Sequence, residues 1–162
     1  MKYHRIVKKI INLLEQNNCW FKTFEHKPVK TSQEAAKIRT GYSLQQGAKA
    51  LIIRIKKHKN QKEFVMLVMP AHLRFNSQKV KELFQARDIR FAQEQEIAEL
   101  TEGVQIGGIP PFGNLFDLKV IADAKLFENK KIIFNAGDRK FSIAMKAEDF
   151  KKLVKPEIAN IV

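Results

Sequence analysis

Residues 48–70 read AKALIIRIKKHKNQKEFVMLVMP, and their pattern decides the fold class. Residues 48–56 are rich in isoleucine and alternate late in the run, as a half-buried strand does. Residues 64–69 are apolar without a break, which fits a strand covered on both faces, and Pro70 closes the run. The polar residues 58–63 join the two as a turn. The pair is therefore a long hairpin whose second strand is buried.

Working outward, Ile6, Ile10, Leu13 and Leu14 recur at helical spacing with Lys and Glu between them. This predicts an amphipathic helix over 3–17, ended by Asn17-Asn18. Residues 20–25 (WFKTFE) read as a strand, and His26-Lys27-Pro28 turns the chain. Thr31 or Ser32 caps a short helix over 32–39, with Glu34 in capping-box position relative to Thr31. Downstream, 76–86 is helical with Val80, Leu83 and Phe84 on one face. Residues 89–92 form a short strand and 94–100 a short helix. Residues 115–121, 132–134 and 141–145 read as strands, with Asn135-Ala136-Gly137-Asp138 as a turn between the last two. A terminal helix begins at Ala147 and ends before Pro156. Hairpins mixed with helices predict a mixed α/β fold around a mixed sheet, not a regular βαβ winding. With no repeat, low-complexity segment or linker, residues 1–162 read as one domain.

Composition narrows the function. Thirty Lys+Arg against 17 Asp+Glu give a net charge of +13. Such a field attracts polyanions, so nucleic acid fits, as does an anionic membrane surface; the plain alternative is a solvated basic surface. One Trp and two Tyr against 12 Phe favour core filling over stacking along an RNA strand. No apolar run spans a bilayer, and the N-terminus has no signal-peptide core, so a cytoplasmic protein is expected. One cysteine, Cys19, leaves no internal disulfide, and no two of the four histidines are spaced as metal ligands. Neither a metal nor an organic cofactor is expected. Cys19 with His26 reads better as a structural thiol beside a turn than as a nucleophile and base. There is no Walker loop, GxSxG elbow or GxGxxG fingerprint.

Gly107-Gly108-Ile109-Pro110-Pro111-Phe112-Gly113 holds three of the seven glycines and two of the five prolines. Glycine allows close approach to the main chain, and proline stiffens it. Such a loop serves a site or a tight connection equally well.

Five segments now stand in one order: HKPVKTSQEAA (26–36), GAKALIIR (47–54), the strand ending Met69-Pro70, GVQIGGIPPFG (103–113) and NAGDRKFSIAM (135–145). This ordered set resembles the YbaK family of free-standing aminoacyl-tRNA deacylases, which are similar to the editing domain of bacterial prolyl-tRNA synthetases. The resemblance covers nearly the whole chain. It implies a mixed sheet curled towards a partial barrel and surrounded by helices, with no cofactor. It also implies hydrolysis of a mischarged aminoacyl-tRNA, a small amino acid on tRNA(Pro), with tRNA and a synthetase as partners. Water and the substrate's own hydroxyl or thiol would do the chemistry.

By position, the resemblance makes Lys49 the functional lysine and puts the family loop at Gly107 through Pro111. Amides of Gly108 and Ile109 would stabilise an oxyanion; Pro110 and Pro111 have none to give. His26, Thr31, Pro110, Pro111, Asn135, Gly137 and Ser142 would contact substrate. Thr31 is also simply a cap, and Asn135 and Gly137 simply turn formers. Lys56, Lys57, Lys59 and Lys62 cluster near the hairpin tip, either solvated or tracking the tRNA backbone. Ser142 stands where cysteine-editing members often carry an acid, and Phe24 where tyrosine is common, which turns the expectation away from cysteine. Alanine, cysteine, serine or another small amino acid all remain open. A catalytically silent tRNA- or protein-binding module is the alternative reading.

Overall fold

The long hairpin forms as expected and runs through the middle of the larger sheet. β2 (Ala48–His58) and β3 (Gln61–Pro70) pair antiparallel from Ala48↔Pro70 to His58↔Gln61. The computed structural model describes residues 2–28, 31–39, 41–58 and 60–162. Preceding the hairpin are α1 (Arg5–Gln16), β1 (Phe21–Glu25) and α2 (Ser32–Ile38). Following it are α3 (Ser77–Phe84), β4 (Asp88–Phe91) and α4 (Glu94–Leu100). Then come β5 (Lys119–Asp123), β6 (Lys131–Asp138), β7 (Phe141–Lys146), α5 (Ala147–Val154) and the short β8 (Glu157–Ala159).

Two sheets result. One is β4-β2-β3-β5-β8, the other β1-β7-β6. The larger is mixed: β4, β2 and β3 are antiparallel neighbours, while β3-β5 and β5-β8 are parallel. A bridge between Gly47 and Ile133 ties the start of β2 to β6. The fold thus curls without closing into a barrel.

Residues 65–70 of β3 are buried, because β3 is covered on both faces. Met66 and Val68 join the main core with Ile6, Val7, Ile10 and Leu14 of α1 and with Phe112, Phe134 and Phe150. Val65, Leu67 and Met69 point the other way, against Val80 and Phe84 of α3. The period of two in β3 therefore serves two cores at once. No helix among the described residues is long and apolar enough to cross a membrane.

Four local expectations change. Leu83, placed on the packed face of α3, is exposed; Val80 and Phe84 alone are buried there. The strand expected over 115–121 starts only at Lys119, because a 3-10 turn, Gly113–Phe116, ends in Asp117 at φ 57°. Asn135-Ala136-Gly137-Asp138 is not the turn but the end of β6, where the pairing with β7 slips between Asn135 and Asp138. The slip holds a positive-φ residue, Gly137 at 106°, as a bulge does. Finally, β8 was not anticipated.

Candidate active site

A cavity of about 450 Å³ opens along the first half of β2. This is the size of a small-ligand pocket. Ala48, Ala50 and Ile52 form one wall, Ala92 and Ile97 another, and the loop residues Ile106, Gly107 and Ile109 a third. Phe91 and Ile106, 60% and 52% exposed, stand at its rim. Arg39, 6% exposed, is a buried cation of the lining.

Lys49 lies on the β2 wall. Its half-buried ammonium donates to Leu73 O at 2.5 Å. Burial lowers its pKa, and the neighbouring charge of Arg74 adds to that. It is thus a held, partly desolvated cation.

The Gly/Pro loop is anchored from its far end. Phe112 is fully buried and meets Phe134 and Phe150 at ring separations of 5.5 and 5.7 Å. Gly113 is packed so tightly that a Cβ there would lie 2.6 Å from Val120 Cγ2. Gly107 turns the chain at φ 91°, a conformation that suits glycine. Gly108 N–H donates to Gln105 O at 2.9 Å, so it is not the free oxyanion donor expected of it. A Cβ on Gly108 would meet Arg139 N and Gln105 O at 3.3 Å. Ile109 N–H, by contrast, has no backbone partner among the described residues.

Behind the cavity runs a buried polar chain. Arg39 Nε donates to Ser142 Oγ at 3.0 Å and Nη2 to Asn135 Oδ1 at 2.8 Å. His26 Nε2 lies 2.7 Å from Ser142 Oγ. His26 Nδ1 is 2.8 Å from Lys27 O, which can only accept, so the proton sits on Nδ1 in the neutral ring. The single proton of the Ser142 hydroxyl then has two acceptors in reach, His26 Nε2 at 2.7 Å and Asn135 Oδ1 at 3.1 Å. Asn135 Nδ2 reaches Gly107 O at 2.5 Å, tying the chain to the loop. Burial brings the Arg39 pKa down to about 10.

The aminoacyl-tRNA editing domain family matches residues 26–153. The chain belongs to that family. The multifunctional Ser/Thr-tRNA deacylase ProXp-y of Escherichia coli K12 is 32% identical over 154 residues, covering 94% of this chain and 90% of that protein. The crystal structure of a hypothetical protein superposes with TM-score 0.81 at 23% identity, over 94% of this chain and 98% of the other. A candidate trans-editing enzyme for prolyl-tRNA synthetase gives TM-score 0.81 at 21% identity, over 99% and 98%. At such identities these two structures speak for the shared fold alone.

The editing domain brings together some of the expected residues and not others. Lys49, Thr31, Gly107, Ile109 and Asn135 line one cavity. Thr31 also caps α2, accepting Glu34 N–H at 3.1 Å, so its two readings are compatible. Gly108, Pro110 and Pro111 lie behind the loop surface and do not line the cavity. His26 and Ser142 do not line the cavity; Ser142 is fully buried against Arg39 and Asn135, and His26 contacts Ser142. Gly137 serves α1: a Cβ there would fall 1.8 Å from Ile6 Cγ2. Lys56 and Lys62 face each other across the hairpin, and Lys57 is paired with Glu63 at 3.7 Å. Seven residues separate Lys49 from Lys56, roughly 23 Å of strand, so these lysines flank the cavity rather than enter it. Lys59 falls outside the described residues, as do Val29 and Lys30 of the first motif. Arg39 was missed. An arginine after a short helix carries no sequence signal that distinguishes it from a surface cation.

Proposed function

We propose that this editing domain hydrolyses the ester of aminoacyl-tRNAs carrying a small amino acid, with seryl and threonyl esters foremost. The single observation carrying this is the cavity. Its apolar walls suit a small side chain, and two cations, Lys49 and Arg39, line it together with Ile109, whose N–H has no backbone partner among the described residues. The 32% identical relative is a Ser/Thr-tRNA deacylase, which favours the hydroxyl-bearing pair among small residues.

An aminoacyl ester is reactive, so positioning and charge stabilisation suffice for rapid cleavage. Lys49, fixed by Leu73 O, would hold the terminal ribose or its phosphate at the cavity wall. Ile109 N–H would stabilise the carbonyl oxygen as it becomes an oxyanion. A water, aligned with help from the 2′-hydroxyl, adds to the carbonyl carbon, and the tRNA 3′-oxygen leaves with a proton. The lysines flanking the hairpin tip would meet the acceptor stem. In this reading residues 1–162 act as one cytoplasmic domain, with tRNA as substrate and a synthetase as an optional partner.

The test is deacylation of tRNA(Pro), tRNA(Ser) and tRNA(Thr) charged with alanine, serine, threonine, cysteine or proline, with and without prolyl-tRNA synthetase. Seryl and threonyl esters are expected to be cleaved, and Lys49→Ala to lower kcat/KM by about 10²-fold. A folded wild type that binds tRNA and cleaves none of these esters is instead a silent binding module.

A further inference from the structure

Arg39 sets a problem that the fold leaves unsolved. A cation with 6% exposure is normally held by a carboxylate, yet no acidic side chain pairs with it among the described residues. Its protein partners are Ser142 Oγ and Asn135 Oδ1, both neutral. A guanidinium has five N–H donors, and these two bonds use one on Nε and one on Nη2. Nη1 has no protein partner among the described residues, although Arg39 lines the cavity.

We infer that Arg39 selects the amino acid, its free Nη N–H groups donating to the side-chain hydroxyl of a seryl or threonyl ester. This rests on the deacylase reading above and names the residue that would give it specificity. The guanidinium is preorganised. Asn135 and Ser142 face each other in register across β6 and β7, His26 braces Ser142 from behind, and Asn135 is itself tied to Gly107 O. The free edge lies beside Gly47: a Cβ built there would be 3.9 Å from Nη1. Gly47, Ala48 and Ala71 all line that part of the cavity, and their small side chains leave space in front of the guanidinium.

The ligand at this end is an amino-acid side chain rather than a phosphate. Arg39 is buried where it lines the cavity, whereas Phe91 and Ile106 on the same lining are exposed, and a tRNA end must stay connected through an exposed side. The amino acid's own carboxyl group is in the ester, so its side chain supplies the acceptor. An apolar pocket cannot strongly tell a hydroxyl from a methyl. A site built to hydrogen-bond the hydroxyl rejects the analogue that lacks it, because its donors are then left unpaired.

The experiment compares kcat/KM for seryl and 2-aminobutyryl esters on one tRNA; the two side chains differ by a hydroxyl in place of a methyl. Wild type is expected to prefer the seryl ester by about tenfold or more. In Arg39→Leu the preference is expected to fall to near unity. Equal cleavage of the two esters by wild type would overturn the assignment, and that arm needs no variant to fold. A preference unchanged in Arg39→Leu would overturn it too. If wild type cleaves neither these nor any ester of the wider panel, the deacylase reading itself falls and takes this one with it. Cleavage without discrimination removes Arg39 alone.

Discussion

A methyl group at position 137 would lie 1.8 Å from Ile6 Cγ2, on a residue whose φ is already 106°. Both the contact and the dihedral exclude a side chain. Gly137→Ala is expected to destabilise the protein by about 2–4 kcal/mol through overpacking and left-handed strain. That is a fall of roughly 5–15 °C in Tm for a chain of this size, read by thermal unfolding. The same residue shows why a glycine is ambiguous in sequence. Asn-Ala-Gly-Asp has the composition of a turn, and its positive φ is real, but the residues it must accommodate come from α1, some 130 positions earlier. Lys49 and Thr31, to which the family resemblance pointed, both line the cavity. Arg39 was not, because burial is not written in its local sequence.

At the scale of elements, α4 places Ile97 in the cavity wall and is held at its start by Glu96. That carboxylate accepts from Gln93 N–H at 2.8 Å and from both terminal nitrogens of Arg90 at 2.8 and 3.1 Å. The bond to Arg90, then that to Gln93, lowers the Glu96 pKa from 4.5 to about 2. A depressed folded-state pKa contributes stability that is fully present above the unfolded value and is lost as pH falls through the folded one. Glu96→Gln is therefore expected to lower Tm at neutral pH, and the difference from wild type should shrink between pH 4.5 and 2. Thermal melts at a series of pH values check this; a constant difference would refute it. Elements with an uninterrupted pattern, α1, β2, β3 and α4, were readable in advance. The strand start misplaced to residue 115 was not, because one residue, Asp117 at φ 57°, breaks an otherwise plausible apolar run.

At the scale of the molecule, a net charge of +13 should govern encounter with tRNA. Counterion release makes affinity fall steeply with salt. KM for a charged tRNA is expected to rise by about tenfold or more from 50 to 200 mM salt, while kcat changes little. Lys62→Ala should reduce the slope of log KM against log salt by about 1 if that lysine meets a phosphate. Steady-state kinetics across salt concentrations measure both. An unaltered slope would leave Lys62 as a solvated residue beside its cross-strand neighbour Lys56.

The sequence by itself determined the class of fold, the long hairpin, the basic character and the family. Each of these rests on local periodicity, on composition or on an ordered set of motifs, all of which survive without knowing any distance. Tertiary structure alone decided which residues share the cavity. It turned Pro110 and Pro111 inward, spent Gly108 N–H on Gln105 O, gave Gly137 to α1 and left Arg39 buried with no acidic partner among the described residues. Those outcomes depend on which distant strands meet: β6 with β7, and the start of β2 with β6. Burial and hydrogen-bond partnership are properties of such meetings, so no window of sequence contains them.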